Sequence, residues 1–191
     1  MSAYFPGGKI RHIHQALATI NHSNYKTEKM KIEDLKRIEP KDAKEKTPKN
    51  TGIYFWFNKE TNELIYIGTG SGVNGLYNRI VRQHLNPKYI EYRSAKHSQE
   101  KDVFQLQHPI MKEVKGILKA GIDQSAFRKN IGRNYQIKPG EGTVNFIMEN
   151  LYFKYFEMSD INELKELEKE LIKKHQPKLN ISHKYKLSNR I

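Results

Sequence analysis

The sequence predicts a mixed α/β (α+β) domain. Two short runs of β-branched and aromatic residues lie on either side of a polar turn, within residues 53–67. A third such run begins near residue 151, and a long amphipathic helix follows it. With 191 residues and 37% hydrophobic residues, the chain can form one modest core with a large solvated surface.

The first two strands are expected to form a β-hairpin. IYFWF (53–57) and LIYI (64–67) enclose the turn residues NKETNE. If Phe57 pairs with Glu63, Tyr54 lies directly opposite Tyr66, with Cβ atoms roughly 5 Å apart. Two phenols then meet beside the glycine-rich stretch that follows, and an ordinary cross-strand packing pair is the alternative interpretation.

Two helices are predicted in the middle of the chain. Residues 75–85 form the first, which carries Arg79, Arg82 and His84. The second is expected in IMKEVKGILKAG, after Pro109, with Gly121 as its carboxyl-terminal stop.

Two shorter helices and the third strand follow. DQSAFRKNIGR is expected to present Arg128 and Lys129 on a short helix. In GTVNFIMENL the apolar residues recur at helical spacing, and Thr143 is the predicted cap. LYFKYFEM, which begins at residue 151, is the predicted third strand.

The last helix contains one carboxylate in an unexpected position. Asp160 and Glu163 have the spacing of a capping box at its start. On a helical wheel Glu168 lies within the apolar stripe, where a carboxylate is costly unless it is paired or binds a metal. A glutamate at the edge of the stripe, paired with a lysine, is the alternative. The stripe comprises Ile161, Leu164, Leu167, Leu171 and Ile172.

Charge is the strongest compositional signal. The net charge of +13 predicts a polyanionic partner, because lysine and arginine that neutralise phosphates release counterions. The absence of cysteine excludes disulfides and cysteine-based zinc sites, and no apolar run is long enough to span a membrane. We therefore expect a cytoplasmic protein with no membrane partner.

Two kinds of small-ligand site are disfavoured. Gly70, Gly72 and Gly75 spell the dinucleotide-binding pattern G-x-G-x-x-G, but the preceding strand belongs to a hairpin rather than a βαβ unit. A histidine metal site is also disfavoured, since His12 and His14 have no partners at ligand spacing and the other histidines are scattered.

Five blocks in order resemble the GIY-YIG nuclease family. Gly52-Ile53-Tyr54 and Tyr66-Ile67-Gly68 match the two namesake tripeptides, and LYNRI, which contains Arg79, matches the helical segment. His84 stands where members carry His or Tyr, and LEKELIKKHQPKLN, from Leu167 to Asn180, resembles the terminal block of the bacterial excision-repair nuclease. His84 lies five residues after Arg79 where the family usually shows four, which on an ideal helix rotates it away.

The resemblance implies the fold and its boundaries. A three-stranded, mostly antiparallel sheet (53–57, 64–67 and 151–157) would be flanked by helices. Residues 1–50 would be a basic arm, 51–183 the catalytic domain with an insertion at about 93–143, and 184–191 a basic tail.

The resemblance also implies the catalytic roles. Tyr54 would activate water as general base and Arg79 would contact the phosphate. Glu168 would hold one Mg²⁺ or Mn²⁺ ion per site. His84 is a further catalytic candidate, and Tyr66 and Asn180 would position water or support the site.

The expected function is a metal-dependent endonuclease that hydrolyses DNA, with site-specific cleavage of the restriction or homing kind favoured by the insertion. A structure-specific repair nuclease and a non-catalytic basic binding module are the alternatives. A dimer is one route to double-strand cleavage. Four further residues are expected to contact DNA: Arg82, Arg128, Lys129 and Arg133.

Overall fold

The computed structural model describes residues 30–92, 104 and 107–184. The chain divides into two units, Met1–Leu35 and Lys36–Ile191. In the first unit, the described residues contain one turn of 3₁₀ helix, Ile32–Asp34. All other elements belong to the second unit. The expected domain boundaries stay a prediction, and much of the predicted arm, part of the insertion and most of the tail lie outside the described residues.

The second unit contains two sheets and five helices among its described residues. The strands are β1 (Gly52–Asn58), β2 (Leu64–Gly70), β3 (Ile90–Tyr92), β4 (Ile110–Val114), β5 (Ile117–Asp123) and β6 (Leu151–Glu157). A 3₁₀ turn, Pro40–Asp42, leads into α1 (Ala43–Lys46). Helix α2 begins as Gly75–Tyr77 and continues as a π-helix, Asn78–His84. The remaining helices are α3 (Ala126–Tyr135), α4 (Glu141–Asn150) and α5 (Ile161–His175).

The first sheet has the order β2-β1-β6, with both pairs antiparallel, which confirms the predicted three-stranded sheet. Its central strand β1 is buried from Gly52 to Phe57. The Trp56 ring stacks on Phe127 of α3 at 5.2 Å between centroids and lies 5.0 Å from Phe153 of β6. These aromatic contacts join the sheet to the helix that covers it, so the core lies directly beneath the second half of β1.

The expected register of the β1–β2 hairpin is wrong. Tyr54 lies opposite Gly68, and Tyr66 lies opposite Trp56. A bulge after Trp56 shifts the pairing, because Phe57 pairs with Leu64 and one β2 residue is left over. Tyr54 and Tyr66 nevertheless share a face of the sheet as diagonal neighbours, with ring centroids 6.3 Å apart.

The second sheet, ordered β3-β5-β4, replaces the helix expected in residues 110–121. Strands β4 and β5 form an antiparallel hairpin from Ile110 to Gly121. The residues between them, Lys115 and Gly116, both have positive φ, at 52° and 76°, as a two-residue hairpin turn requires. The positions of Pro109 and Gly121 favoured a helix. Instead, Lys115 and Gly116 form a turn that connects two antiparallel strands.

The helices α3, α4 and α5 confirm the predicted elements with adjusted ends. Helix α4 begins at Glu141, two residues before the expected cap, and the Thr143 hydroxyl donates to the Gly140 carbonyl at 2.9 Å. Asp160 caps α5 by accepting from two backbone amides, both at 2.9 Å. The apolar stripe of α5 is buried except at Ile161, which is 41% exposed.

The chain beyond α5 continues along the edge of β2. Leu179 donates its backbone N–H to the Ile65 carbonyl at 2.8 Å. The Asn180 side chain then acts as a strand residue would, accepting from Ile67 N at 2.9 Å and donating to Ile67 O at 2.8 Å. Of the helices in the described part of the chain, none has the length and apolar composition needed to cross a membrane.

Candidate active site

Tyr54 and His84 form a buried hydrogen-bonded pair. Tyr54 Oη lies 2.7 Å from His84 Nε2, and the two residues are 1% and 2% exposed. Tyr54 extends from the centre of β1, and His84 from the last position of α2. The five-residue spacing after Arg79 therefore does not carry His84 away from the site.

The π-helix explains this placement. Leu85 donates its backbone N–H to the Ile80 carbonyl at 3.0 Å, five residues back instead of four. The wider turn accommodates one extra residue, so His84 faces the sheet.

Tyr66 packs beside Tyr54 at the edge of the core. Its ring centroid is 4.7 Å from that of Phe127. Gly68 lies against both phenols, since an added Cβ would meet the Tyr54 hydroxyl and would be 2.9 Å from Tyr66 Cε1. The glycine of the second tripeptide is therefore required so that the two tyrosines can share one face of the hairpin.

Arg79 is exposed at the end of β2. Its Nε donates to the Thr69 carbonyl at 3.3 Å, and its Nη1 donates to Gln83 Oε1 at 2.8 Å. Its positive charge acts to lower the pKa values of Tyr54, Tyr66 and Glu168 against the effect of burial, and it adds to the lowering of the His84 pKa by burial. A single guanidinium therefore acts electrostatically on every titratable candidate of the site.

Glu168 occupies a partly buried position on α5, opposite the end of β2. Thr69 Oγ1 donates to Glu168 Oε2 at 3.3 Å. Burial raises the pKa of this carboxyl, and Thr69, His183 and Arg79 partly counteract the rise. A carboxylate whose pKa is raised by burial would gain from a cation beside it.

Burial controls the protonation of the other site residues. It raises the pKa of Tyr54 well above its usual value and raises that of Tyr66 to about 12. Burial, followed by the charges of Arg79 and Arg128, lowers the pKa of His84 well below its usual value. Around pH 7 the free protein therefore holds two neutral phenols and a neutral imidazole.

A cleft of about 390 Å³ opens beside Glu168, Tyr66 and Asn180. Its wall also includes Lys129, Asn130 and Arg133 of α3, Ile172 of α5, and the segment Ile181, Ser182 and His183. Within the described residues no cluster of three metal-ligating side chains occurs. Glu168 fits a hard divalent cation that takes one carboxylate and keeps water or phosphate oxygens in its remaining positions.

The candidate DNA-contacting residues fall into two groups. Arg82 is exposed on α2 with its guanidinium 5.7 Å from the Tyr77 ring centroid, and Lys129 and Arg133 line the cleft. Arg128 is 0% exposed and lies 2.9 Å from the buried Asp123 carboxylate. The expectation that Arg128 contacts DNA is therefore corrected, because its guanidinium is fully buried.

Sequence reasoning missed two contributors to the site. Ser125 Oγ lies 2.9 Å from His84 Nδ1, on the side of the ring opposite Tyr54. Thr69, near the end of β2, contacts Glu168. For Ser125, the segment DQSAFRKNIGR was interpreted only through its basic residues, Arg128 and Lys129.

Comparison with known proteins identifies the family. A family model described as "GIY-YIG catalytic domain" matches residues 29–191, most of the chain. None of the curated proteins or solved structures compared with the chain gives a significant match. The described geometry brings both tripeptides, the arginine of α2 and the glutamate of α5 to one region. The chain belongs to the GIY-YIG family, and its activity is that of a nuclease acting on DNA.

Proposed function

We propose that the protein is a metal-dependent endonuclease that hydrolyses DNA phosphodiester bonds and recognises particular sites. The convergence of Tyr54, His84, Arg79 and Glu168 from β1, α2 and α5 carries this proposal. Hydrolysis of a phosphodiester needs an activated water, a donor for the charged phosphate oxygens and assistance to the leaving oxygen. The four side chains have the chemistry for each of these tasks.

Tyr54 is the proposed general base. Its raised pKa in the free protein means that the phenol is protonated until positive charge in the site lowers that pKa. Arg79 already acts in this direction. His84 supports Tyr54 through their 2.7 Å hydrogen bond rather than through charge, since burial keeps the imidazole neutral.

Arg79 is the proposed phosphate contact. It is exposed, and its forked guanidinium suits the oxygens of a phosphate whose negative charge grows during hydrolysis. Its bonds to Thr69 O and Gln83 hold the side chain at the end of β2. Tyr66 and Asn180, which line the same cleft as Glu168, would orient water and maintain the cleft wall.

Glu168 would hold one Mg²⁺ or Mn²⁺ ion. Bound there, the ion would polarise the scissile phosphate and stabilise the departing oxygen. Thr69 orients the Glu168 carboxylate through its 3.3 Å hydrogen bond.

DNA would contact the basic residues Arg82, Lys129 and Arg133, the last two of which line the cleft. The net charge of +13 supports a phosphate-rich partner. Strands β4 and β5 of the second sheet lie within the region expected to be an insertion, at about 93–143, and β3 precedes it. This supports recognition of a site, because additional surface permits contacts beyond the scissile phosphate.

Nicking of supercoiled plasmid in Mg²⁺ or Mn²⁺ tests the proposal. Glu168→Ala is expected to lower the nicking rate by at least about 10²-fold while plasmid binding persists. Glu166→Ala is the matched control, since Glu166 lies on the same helix, exposed and paired only at the surface with Lys169. If the wild-type protein binds but never nicks, or if Glu168→Ala nicks at the wild-type rate, the proposal fails. Mapping cut positions on a long duplex separates site-specific from dispersed cleavage.

A further inference from the structure

Ser125 is fixed in place at the start of α3. Its backbone N–H donates to Asp123 Oδ1 at 2.9 Å, and its Oγ caps the helix by accepting from Arg128 N at 3.2 Å. The residue is 0% exposed. One hydrogen bond at its backbone N–H and one at its hydroxyl oxygen therefore hold the residue in place.

A buried ion pair joins Ser125 to the helix that carries His84. Arg128 Nε lies 2.9 Å from Asp123 Oδ2, and both side chains are fully buried. The same guanidinium donates to the carbonyls of Asn86 at 2.5 Å and Tyr89 at 2.7 Å, in the segment that follows α2. Arg128 thus links the segment after α2 to the start of α3. This link fixes the position of His84 relative to Ser125.

The hydrogen bond between Ser125 and His84 can run in two directions. A neutral imidazole has one N–H donor and one acceptor nitrogen. If His84 Nδ1 carries the proton, Ser125 Oγ accepts twice, and its own hydroxyl hydrogen has no acceptor among the described residues. If the hydroxyl donates to Nδ1, every polar hydrogen at Ser125 is used. Buried polar groups are rarely left unsatisfied, so the second arrangement is favoured.

We propose that Ser125 is a positioning residue that holds His84 in the Nε2–H tautomer, so that His84 donates a hydrogen bond to Tyr54 Oη. His84 then stabilises the phenolate form of Tyr54 and does not remove its proton. This inference rests on the proposed function, in which Tyr54 acts as base.

The environment of Tyr54 agrees with this direction. Tyr66 is a hydrogen-bonding neighbour of Tyr54, with ring centroids 6.3 Å apart, so the Tyr54 hydroxyl hydrogen can turn towards it. The Tyr54 oxygen is then available to accept from His84 Nε2 at 2.7 Å. In this arrangement donors run in one direction, from Ser125 to His84 and from His84 to Tyr54.

The tautomer is measured by two-dimensional ¹H–¹⁵N correlation spectroscopy of the free, ¹⁵N-labelled full chain near pH 7. The His84 signals are assigned by their loss in His84→Gln. A protonated, pyrrole-type Nε2 with an unprotonated Nδ1 is the expected result. A pyrrole-type Nδ1, or two protonated nitrogens, overturns the proposal. The measurement uses no DNA, so it decides the tautomer whether or not the protein cleaves DNA.

Two variants test whether Ser125 is the cause. Ser125→Ala is expected to lose the single-tautomer pattern and to lower the nicking rate about tenfold. Ser125→Thr keeps both the cap and the hydroxyl donor, so it is expected to restore both readouts to within about twofold. If Ser125→Ala keeps a pure Nε2–H tautomer, or if Ser125→Thr loses it while remaining folded, Ser125 does not select the tautomer.

Discussion

The Arg128→Met substitution distinguishes two roles for Arg128. A residue that contacts DNA and a buried partner of Asp123 lead to opposite expected outcomes. The change removes a fully buried guanidinium from beside the fully buried carboxylate of Asp123. It also removes the donors to the carbonyls of Asn86 and Tyr89. The structure therefore predicts a loss of stability rather than a selective loss of DNA binding.

The magnitude follows from the burial of the pair. Removing one partner of a buried ion pair costs about 3–5 kcal/mol, because the remaining charge loses its compensation. In a chain of this size each kcal/mol shifts Tm by about 2–4 °C. Arg128→Met is therefore expected to lower Tm by roughly 6–20 °C. Adding Asp123→Asn should recover part of this loss, since the amide oxygen can still accept from Ser125 N without a buried charge.

Thermal unfolding and DNA titration together provide the assay. Lys129→Ala is the matched control, because Lys129 is the next residue of α3 and lines the cleft. Lys129→Ala is expected to keep Tm within about 2 °C of the wild-type value. It should weaken DNA binding and lower the salt dependence of the binding constant by the amount expected for the loss of about one phosphate contact. The reasoning is refuted if Arg128→Met keeps the wild-type Tm and loses DNA affinity as Lys129→Ala does.

Two further predictions concern the buried side of the site. Gly68→Ala is expected to cost about 1–3 kcal/mol and most nicking activity, because its Cβ would displace the Tyr54 phenol. Gly72→Ala, with open space around it, should change neither melting temperature nor rate, and equal effects of the two would contradict the packing argument. For His84, burial lowers the folded-state pKa below 6.5, so the unfolded chain takes up a proton first as pH falls. The free energy of unfolding should therefore decrease below about pH 6.5 by up to about 1.4 kcal/mol per pH unit more than in His84→Gln. The free energy of unfolding is measured by urea denaturation from pH 7 to 5. If it changes equally in the wild-type protein and in His84→Gln, His84 is not buried and neutral.

Local sequence patterns predicted the strands and helices whose formation depends mainly on residues close together in the chain. The strands of the first sheet follow from runs of β-branched and aromatic residues, and α5 follows from its cap and its apolar stripe. Glu168 could be singled out because a carboxylate within that stripe conflicts with a purely structural helix. Its observed position beside Thr69, with a pKa raised by burial, is the situation that the helical wheel indicated.

Features set by distant partners could not be predicted in the same way. The register of the hairpin depends on a bulge that no propensity reveals. The β4–β5 hairpin was mistaken for a helix because its turn is a Lys-Gly pair rather than a stronger turn signal. Arg128 was interpreted as a surface cation because its partners, Asp123 and the Asn86 and Tyr89 carbonyls, become neighbours only in the folded chain.

The position of His84 shows how the site and its helix depend on each other. In a regular α-helix the fifth residue after Arg79 points roughly 140° away from it, whereas the fourth is displaced by only about 40°. The extra residue is absorbed by one π-turn, recorded in the Leu85 N to Ile80 O hydrogen bond. Such turns have poorer packing than an α-helix and occur frequently at functional sites, so they persist where other contacts favour them. Here the imidazole is held at both nitrogens, by Tyr54 and by Ser125. An α-helical α2 would have to give up both bonds, and we infer that the requirements of the His84 ring maintain the π-turn.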